Sequence, residues 1–176
     1  MIKISVCDDD EGQLTFFKQC FMEYNEKHKE KIEANFYQSV QSLLNEKKFS
    51  PDVYFLDIEL QDGNGLKLAG KIRTRNSKIP IVFITSHEEF MPEAFHVHAY
   101  QYLNEKKNAQ AVENVLNQLA DYFSEQNQIF SFQTYGEMIS LDCRNIICFT
   151  SEKRKNIVIA ENGEFEYYGK FSAIMD

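Results

Sequence analysis

The sequence predicts an α/β protein in which helices cover both faces of a five-stranded parallel sheet, followed by a short antiparallel β segment. Apolar runs alternate with helix-like segments over residues 1–125. Polar residues directly follow several of the runs, as they do at the carboxyl ends of parallel strands. From residue 129 the pattern changes to short strand-like runs separated by turn signals. We therefore expect two domains, over residues 1–125 and 129–176.

The first part of the α/β region contains three predicted strands and three predicted helices. The strands cover residues 2–7, 32–37 and 53–56, and the helices cover 11–28, the segment from Ser39 through Leu44, and the residues after a turn at 62–65. The first helix follows from apolar residues that recur at spacings of three and four. Ser39 is a residue type that favours a helix N-cap. The DGNG sequence at 62–65 is a strong turn signal.

The second part of this region adds two strands and two helices. Residues 79–85 form an apolar run entered through Pro80, and residues 99–103 form the fifth strand. A short helix is predicted over 88–95. The last helix is predicted over 108–123, where apolar residues fall on one face.

The segment after a polar linker at 124–128 is predicted to be antiparallel. Its expected strands are 129–134, 138–141, 146–150, 157–160 and 164–168. Turn signals occur at Gly136, Asn156 and residues 162–163. Residues 172–175 have a sequence that could begin a helix.

Composition excludes several classes of protein. The chain has 176 residues, 43% of them hydrophobic, which is typical of a globular protein and not of a disordered one. No apolar run reaches 18 residues, and acidic residues follow Cys7 at once, so we expect a cytoplasmic protein without a membrane partner. The net charge of −8 makes the chain a poor general binder of polyanions. Any DNA contact would need a local basic patch, for which Lys153, Arg154 and Lys155 are candidates, although such a run is also typical of a solvated loop.

The cysteines and histidines give only weak evidence for a metal site or a disulfide framework. The four cysteines, Cys7, Cys20, Cys143 and Cys148, show no CxxC spacing, which argues against structural zinc and against a disulfide framework. His96 and His98 alternate near a strand start, but two histidines without a third ligand are more typical of a surface than of a metal site.

Four polar residues at predicted strand ends form the candidate site. Asp8 and Asp9 follow the first strand, Asp57 follows the third, and Thr85 ends the fourth. Carboxylates that converge repel one another unless a cation neutralises them. Oxygen ligands suit a hard ion such as Mg²⁺. A carboxylate beside that ion can accept a phosphoryl group, and Thr85 can donate a hydrogen bond to a phosphoryl oxygen.

These residues, with Tyr102 in the fifth strand, resemble a response-regulator receiver domain. The spacings from Asp57 to Thr85 (28 residues) and to Tyr102 (45 residues) fit that family. The segment AFHVHAYQYL at 94–103 resembles the receivers of LytTR-type regulators in particular. The β segment from residue 129 resembles, more weakly, the first part of a LytTR DNA-binding domain.

The resemblance implies a fold and a set of roles. The fold would be flavodoxin-like, with strand order 2-1-3-4-5. Asp57 would be the phosphoacceptor. Asp9 and Asp57 would bind Mg²⁺ directly, Asp8 would bind it mostly through water, and the backbone carbonyl of Glu59 would complete the site. Thr85 and Tyr102 would be the switch pair. A histidine kinase would be the phosphoryl donor, and a homodimer would form through the fourth helix, fifth strand and fifth helix.

The chain departs from the family pattern at Glu105. The family has a lysine three residues after the tyrosine, usually followed by proline, and here Glu105 is followed by Lys106 and Lys107. A pair of unit charges 4 Å apart interacts by about 4 kcal/mol at an effective dielectric of 20, so reversing the sign removes a substantial attraction to the phosphoryl group. Lys106 would substitute only if the backbone is irregular, because adjacent strand residues point to opposite faces.

Three functions compete. The first is a two-component response regulator with a LytTR-type output that binds promoter DNA and regulates transcription. The second is a degenerate receiver that acts as a phosphorylation-independent interaction module, which Glu105 favours. The third, an enzyme of the haloacid dehalogenase type, is disfavoured because that family has a second aspartate where this chain has Glu59. A complete LytTR domain needs roughly twice the residues present after 128, so we expect a truncated or remnant output domain with weak or no DNA binding.

Overall fold

The structure is a computed structural model that describes residues 1–85, 88–103, 108–126, 129–134, 136–152 and 155–167. The chain divides into two compact units, Met1–Gln118 and Leu119–Asp176, with the division inside a helix. Glu105, Lys106, Lys107, Lys153, Arg154 and residues 172–175 lie outside the described residues.

The first unit is an α/β layer structure built around one parallel sheet. Its strands are β1 (Ile2–Cys7), β2 (Ile32–Tyr37), β3 (Val53–Leu56), β4 (Ile81–Ile84) and β5 (Gln101–Leu103). Its helices are α1 (Glu11–Lys27), α2 (Val40–Asn45), α3 (Gly65–Arg75), α4 (Met91–His96) and α5 (Ala109–Gln126). The sheet order is β2-β1-β3-β4-β5, and every neighbouring pair is parallel, which confirms the predicted order 2-1-3-4-5.

The central strands are buried because helices cover both faces of the sheet. Val53, Phe55 and Leu56 of β3 and all four residues of β4 are buried. One layer of the core packs α1 against the sheet through Phe17 and Phe21, whose rings lie 5.9 and 5.8 Å from the ring of Phe55. The near-continuous apolar runs therefore correctly predict the two strands that Asp57 and Thr85 follow.

Helix caps explain where the early helices begin. Asp10 accepts hydrogen bonds from the backbone N–H groups of Gly12 (2.7 Å) and Gln13 (3.4 Å) and caps α1. Ser39 accepts from the N–H of Ser42 at 3.1 Å and caps α2, as predicted. Asn64 caps α3 through the N–H groups of Leu66 and Lys67.

Three local predictions were wrong. Gly65 was assigned to a turn, but it is the first residue of α3; the turn lies one step earlier, between two-residue strands at Glu59–Leu60 and Gly63–Asn64. A linker is predicted from residue 124, but α5 continues through Gln126, because Glu125 and Gln126 are residue types that favour a helix. Asn156 was assigned to a turn but lies within a strand.

The second unit contains two antiparallel sheets of described residues. Strands β6 (Ile129–Thr134) and β7 (Glu137–Asp142) form a hairpin. Strands β8 (Ile146–Glu152), β9 (Lys155–Ala160) and β10 (Gly163–Tyr167) form a three-stranded meander. An aromatic cluster fills this unit, and its members are Phe130, Phe132, Phe149, Phe165 and Tyr167.

Candidate functional site

The site lies at the carboxyl ends of β1 and β3. Cys7 pairs with Leu56 in the parallel register, so the residues that follow, Asp8 and Asp57, emerge side by side. The backbone N–H of Asp57 donates to the carbonyl of Cys7 at 2.8 Å, which continues the ladder to the strand end. Parallel pairing of two short apolar runs therefore brings together carboxylates that are 49 residues apart along the chain.

Three carboxylates meet at this edge. One carboxylate oxygen from each of Asp8, Asp9 and Asp57 lies within 4.8 Å of the other two. Asp8 is fully buried and Asp57 is 2% exposed, whereas Asp9 is partly exposed. The cluster has one open side, at Asp9, and an all-oxygen donor set that fits a hard divalent cation such as Mg²⁺.

Backbone N–H groups orient each carboxylate. Asp8 Oδ1 accepts from the N–H of Asp10 at 2.9 Å, and Asp57 Oδ1 accepts from the N–H of Ile58 at 2.8 Å. Asp9 Oδ2 accepts from the N–H of Gln61 at 3.1 Å. These bonds hold the carboxylates in place against their mutual repulsion.

The negative charge of the cluster affects the thiol of Cys7, the last residue of β1. Burial is the main cause that raises the pKa of the Cys7 thiol, to about 12, and the charges of Asp62, Asp8, Asp57 and Asp9 add to it. A thiolate at this position would be both desolvated and surrounded by negative charge. Cys7 is therefore a neutral core residue, as its place in an apolar run predicts.

Thr85 and Tyr102 lie on neighbouring strands and at different levels. Thr85 is fully buried at the end of β4, and its N–H donates to the carbonyl of Leu103 at 3.0 Å. The register pairs Leu56 with Phe83, so Thr85 stands one residue beyond the level of Asp57. Tyr102 pairs with Phe83, is partly buried, and lines a cavity of about 360 Å³ between β5 and α5. The predicted strand position of Tyr102 is confirmed, whereas Thr85 directly follows β4 instead of ending it.

Glu59 lies in the loop that follows β3. It pairs with Asn64 in the small hairpin, and its side chain is exposed. Sequence reasoning missed two residues near Glu59, one in this loop and one at the start of α3. Asp62 binds the start of α2, and Gly65 packs against the backbone of Asp57. An aspartate before Gly63 had signalled only a turn.

Of the residues that the structure describes, none of the other candidates is a member of the acidic cluster. His96 is exposed and His98 has a positive φ of 52° at the end of α4, and neither belongs to the acidic cluster. Lys155 forms an ion pair with Glu166 across β9 and β10, with Nζ 2.9 Å from Oε2. The free cysteines are buried at positions 7 and 20 and exposed at 143 and 148. Among the described residues, no helix is long and apolar enough to cross a membrane.

Comparison with known sequences identifies relatives of the first unit. Residues 4–117 match the sequence profile of the response regulator receiver domain. An uncharacterized response regulatory protein of Yersinia pestis is 29% identical over 68% of this chain and 49% of its own length. The sensory transduction protein LytR of Staphylococcus haemolyticus is 32% identical over 54% of this chain and 36% of its own length. The chain thus spans half or less of the curated relatives it matches.

Solved structures show the same fold. The response regulatory domain of protein mrkE from Klebsiella pneumoniae is 25% identical, with a TM-score of 0.59 over 71% of this chain and all of its own. The response regulator TrrA from Thermotoga maritima, solved with Mg²⁺ and beryllofluoride, is 22% identical, with a TM-score of 0.58 over 68% of this chain and 99% of its own. The sheet order, the strand-end carboxylates and the profile match agree, and the chain belongs to the response regulator receiver domain family.

Proposed function

We propose that this chain is a response regulator whose Asp57 accepts a phosphoryl group from a histidine kinase. The observation that supports the proposal is the convergence of Asp8, Asp9 and Asp57 within 4.8 Å at a partly open edge of the sheet. In this proposal Asp9, Asp57 and the backbone carbonyl of Glu59 would hold Mg²⁺ directly, and Asp8 would do so mostly through water. The ion offsets the charge on the transferring oxygens when it is bound.

The residues of this chain supply the remaining chemistry. The Asp57 carboxylate is the attacking group, and the bond from the Ile58 N–H to its Oδ1 fixes the orientation of that carboxylate. Thr85 would donate its hydroxyl to a phosphoryl oxygen, and Tyr102 would repack in response. We propose that the surface formed by α4, β5 and α5 then forms a homodimer interface.

We further propose that residues 1–125 are the receiver domain and that residues 129–176 belong to a LytTR-like output domain. The five antiparallel strands after α5 and the relatives named LytR support this assignment. The protein would act in the cytoplasm as a regulator of transcription and not as an enzyme.

The alternative is a degenerate receiver that regulates a partner without phosphorylation. Glu105, which takes the place of the family lysine, favours it. A direct test distinguishes the two: incubation with a small acyl phosphate and Mg²⁺, followed by intact-mass spectrometry. The phosphorelay proposal expects one added phosphoryl group in the wild type and none in Asp57→Asn. An unmodified wild type, with modification restored by Glu105→Lys, would instead support the degenerate receiver.

A further inference from the structure

The loop from Ile58 to Asn64 carries two groups that face the acidic site in the proposed function. One is the N–H of Gln61, which donates to Asp9 Oδ2 at 3.1 Å. The other is the backbone carbonyl of Glu59, the proposed metal ligand. The loop closes on itself where the N–H of Gly65 donates to the carbonyl of Ile58 at 2.8 Å. Its position therefore determines the geometry on one side of the site.

Asp62 attaches this loop to α2 with both carboxylate oxygens. Oδ1 accepts from the N–H of Val40 and Oδ2 accepts from the N–H of Gln41, each at 2.9 Å. These are the first two residues of the helix, whose N–H groups have no partner within the helix. Because Ser39 bonds to Ser42, the N-terminus of α2 is capped by one local residue and by one residue that is 22 positions away from Val40.

Charge and packing strengthen this attachment. The N–H groups of Gln41 and Val40 lower the pKa of the Asp62 carboxyl, so it is ionised at neutral pH. Charge-assisted hydrogen bonds are about twice as strong as neutral ones. Beside it, a Cβ atom at Gly63 would lie 3.0 Å from Val40 Cγ2, so the loop backbone rests directly on the helix.

We propose that Asp62 is a positioning residue for the acidic site, which holds the 58–64 loop against α2 and thereby couples cation binding to the position of that helix. The inference rests on the proposed function, because it assumes that the site binds Mg²⁺. Residues that orient metal ligands without touching the metal commonly change its affinity by tenfold or more when they are removed. Asp62 acts here through the loop backbone.

The coupling is reciprocal. If the attachment strengthens Mg²⁺ binding by some factor, Mg²⁺ must strengthen the attachment by the same factor. In the wild-type chain, saturating Mg²⁺ should therefore slow hydrogen exchange at the Val40 and Gln41 amides. This measurement requires no variant and is independent of whether a variant folds.

Variants of Asp62 distinguish the effect of its hydrogen bonds on the position of the loop from the effect of its negative charge. Mg²⁺ affinity is measured by NMR titration of the full chain in the wild type, Asp62→Ala and Asp62→Asn. The matched control is Asp52→Ala, which removes an exposed carboxylate that accepts the Lys3 N–H at 2.9 Å, beside the other end of β3. We expect Asp62→Ala to weaken Mg²⁺ binding about tenfold. Asp62→Asn retains a side-chain acceptor, so its Mg²⁺ affinity should lie closer to that of the wild type. The control Asp52→Ala should have the same Mg²⁺ affinity as the wild type.

Three results would overturn the proposal. Equal Mg²⁺ affinity in the wild type and Asp62→Ala, with unchanged exchange at Val40 and Gln41, would limit Asp62 to capping a helix and leave the proposed function intact. Equal weakening in Asp62→Asn and Asp62→Ala would show that only its negative charge matters. Absence of Mg²⁺ binding to the wild type would overturn the proposed function and this inference together. The Asp62→Asn sample is used freshly prepared, because deamidation of an asparagine before Gly63 would regenerate aspartate.

Discussion

Gly65 packs so closely on Asp57 that a Cβ atom at this position would collide with the Asp57 carbonyl oxygen and lie 2.9 Å from its carbonyl carbon. The contact joins the first residue of α3 to the residue proposed to accept the phosphoryl group. Its φ is not in the left-handed region, so the requirement for glycine is one of space and not of backbone conformation. The close approach of α3 to the end of β3 is therefore part of the architecture of the site.

This contact predicts opposite effects of alanine at two glycines of the same helix. Gly65→Ala should destabilise the protein by about 1–3 kcal/mol or more, because the added carbon displaces backbone atoms of Asp57 and Ile58. Gly70→Ala should stabilise it by about 0.5–1 kcal/mol, because a Cβ there meets nothing within 4 Å and alanine favours a helix. Urea unfolding of both variants checks the pair, and a neutral Gly65→Ala would contradict the packing.

The acidic cluster predicts a stability gain from charge removal. Asp57→Asn should raise the free energy of unfolding by roughly 1–2 kcal/mol without a divalent cation, because it removes repulsion from Asp8 and Asp9 while Oδ1 still accepts the Ile58 N–H. Added Mg²⁺ should stabilise the wild type more than the variant and so reduce the difference. Thermal unfolding with and without Mg²⁺ measures both effects. A variant that is no more stable than the wild type in chelator would argue that the carboxylates share a proton instead of repelling.

Two buried tyrosines predict opposite responses to loss of a hydroxyl group. Tyr24 donates to Asn117 Oδ1 at 3.2 Å, whereas the buried hydroxyl of Tyr167 has no hydrogen-bond partner within the described part of the chain. Tyr24→Phe should cost about 0.5–1.5 kcal/mol. Tyr167→Phe should be neutral or stabilising by about 1 kcal/mol, because a buried unsatisfied hydroxyl is itself unfavourable. Denaturant unfolding, followed separately in each unit by NMR, compares them.

Cys20 predicts a pH dependence at the alkaline end. Burial, aided by the charge of Glu23, raises the pKa of its thiol to about 11, above its ordinary value near 9. Between these values the unfolded chain loses the proton while the folded chain retains it, so stability falls as pH rises. The slope contributed by Cys20 should approach about 1.4 kcal/mol per pH unit and disappear in Cys20→Ala. Unfolding at pH 8, 9 and 10 measures the difference between the two proteins, and parallel curves would contradict it.

The strands of the first unit could be predicted because each is a short apolar run whose periodicity is local. The meeting of Asp8 with Asp57 could also be predicted, since parallel strands bring their carboxyl ends to one edge. Asp62 and Gly65 could not be assigned in the same way. The hydrogen bonds of Asp62 join it to α2, 21 and 22 residues away, and the need for glycine at 65 depends on how closely α3 approaches β3. Both features depend on tertiary contacts, which a local turn signal does not predict.

The central claim is that Asp57 and its neighbours accept a phosphoryl group with the help of Mg²⁺, despite Glu105. Fluorine NMR of beryllofluoride, which mimics a phosphoryl group, tests it directly in the wild type and Asp57→Asn. We expect protein-bound fluorine signals in the wild type that require Mg²⁺ and are absent from Asp57→Asn. Absence of a bound signal from the wild type at saturating Mg²⁺ would contradict the claim, and its appearance in Glu105→Lys would identify Glu105 as the cause.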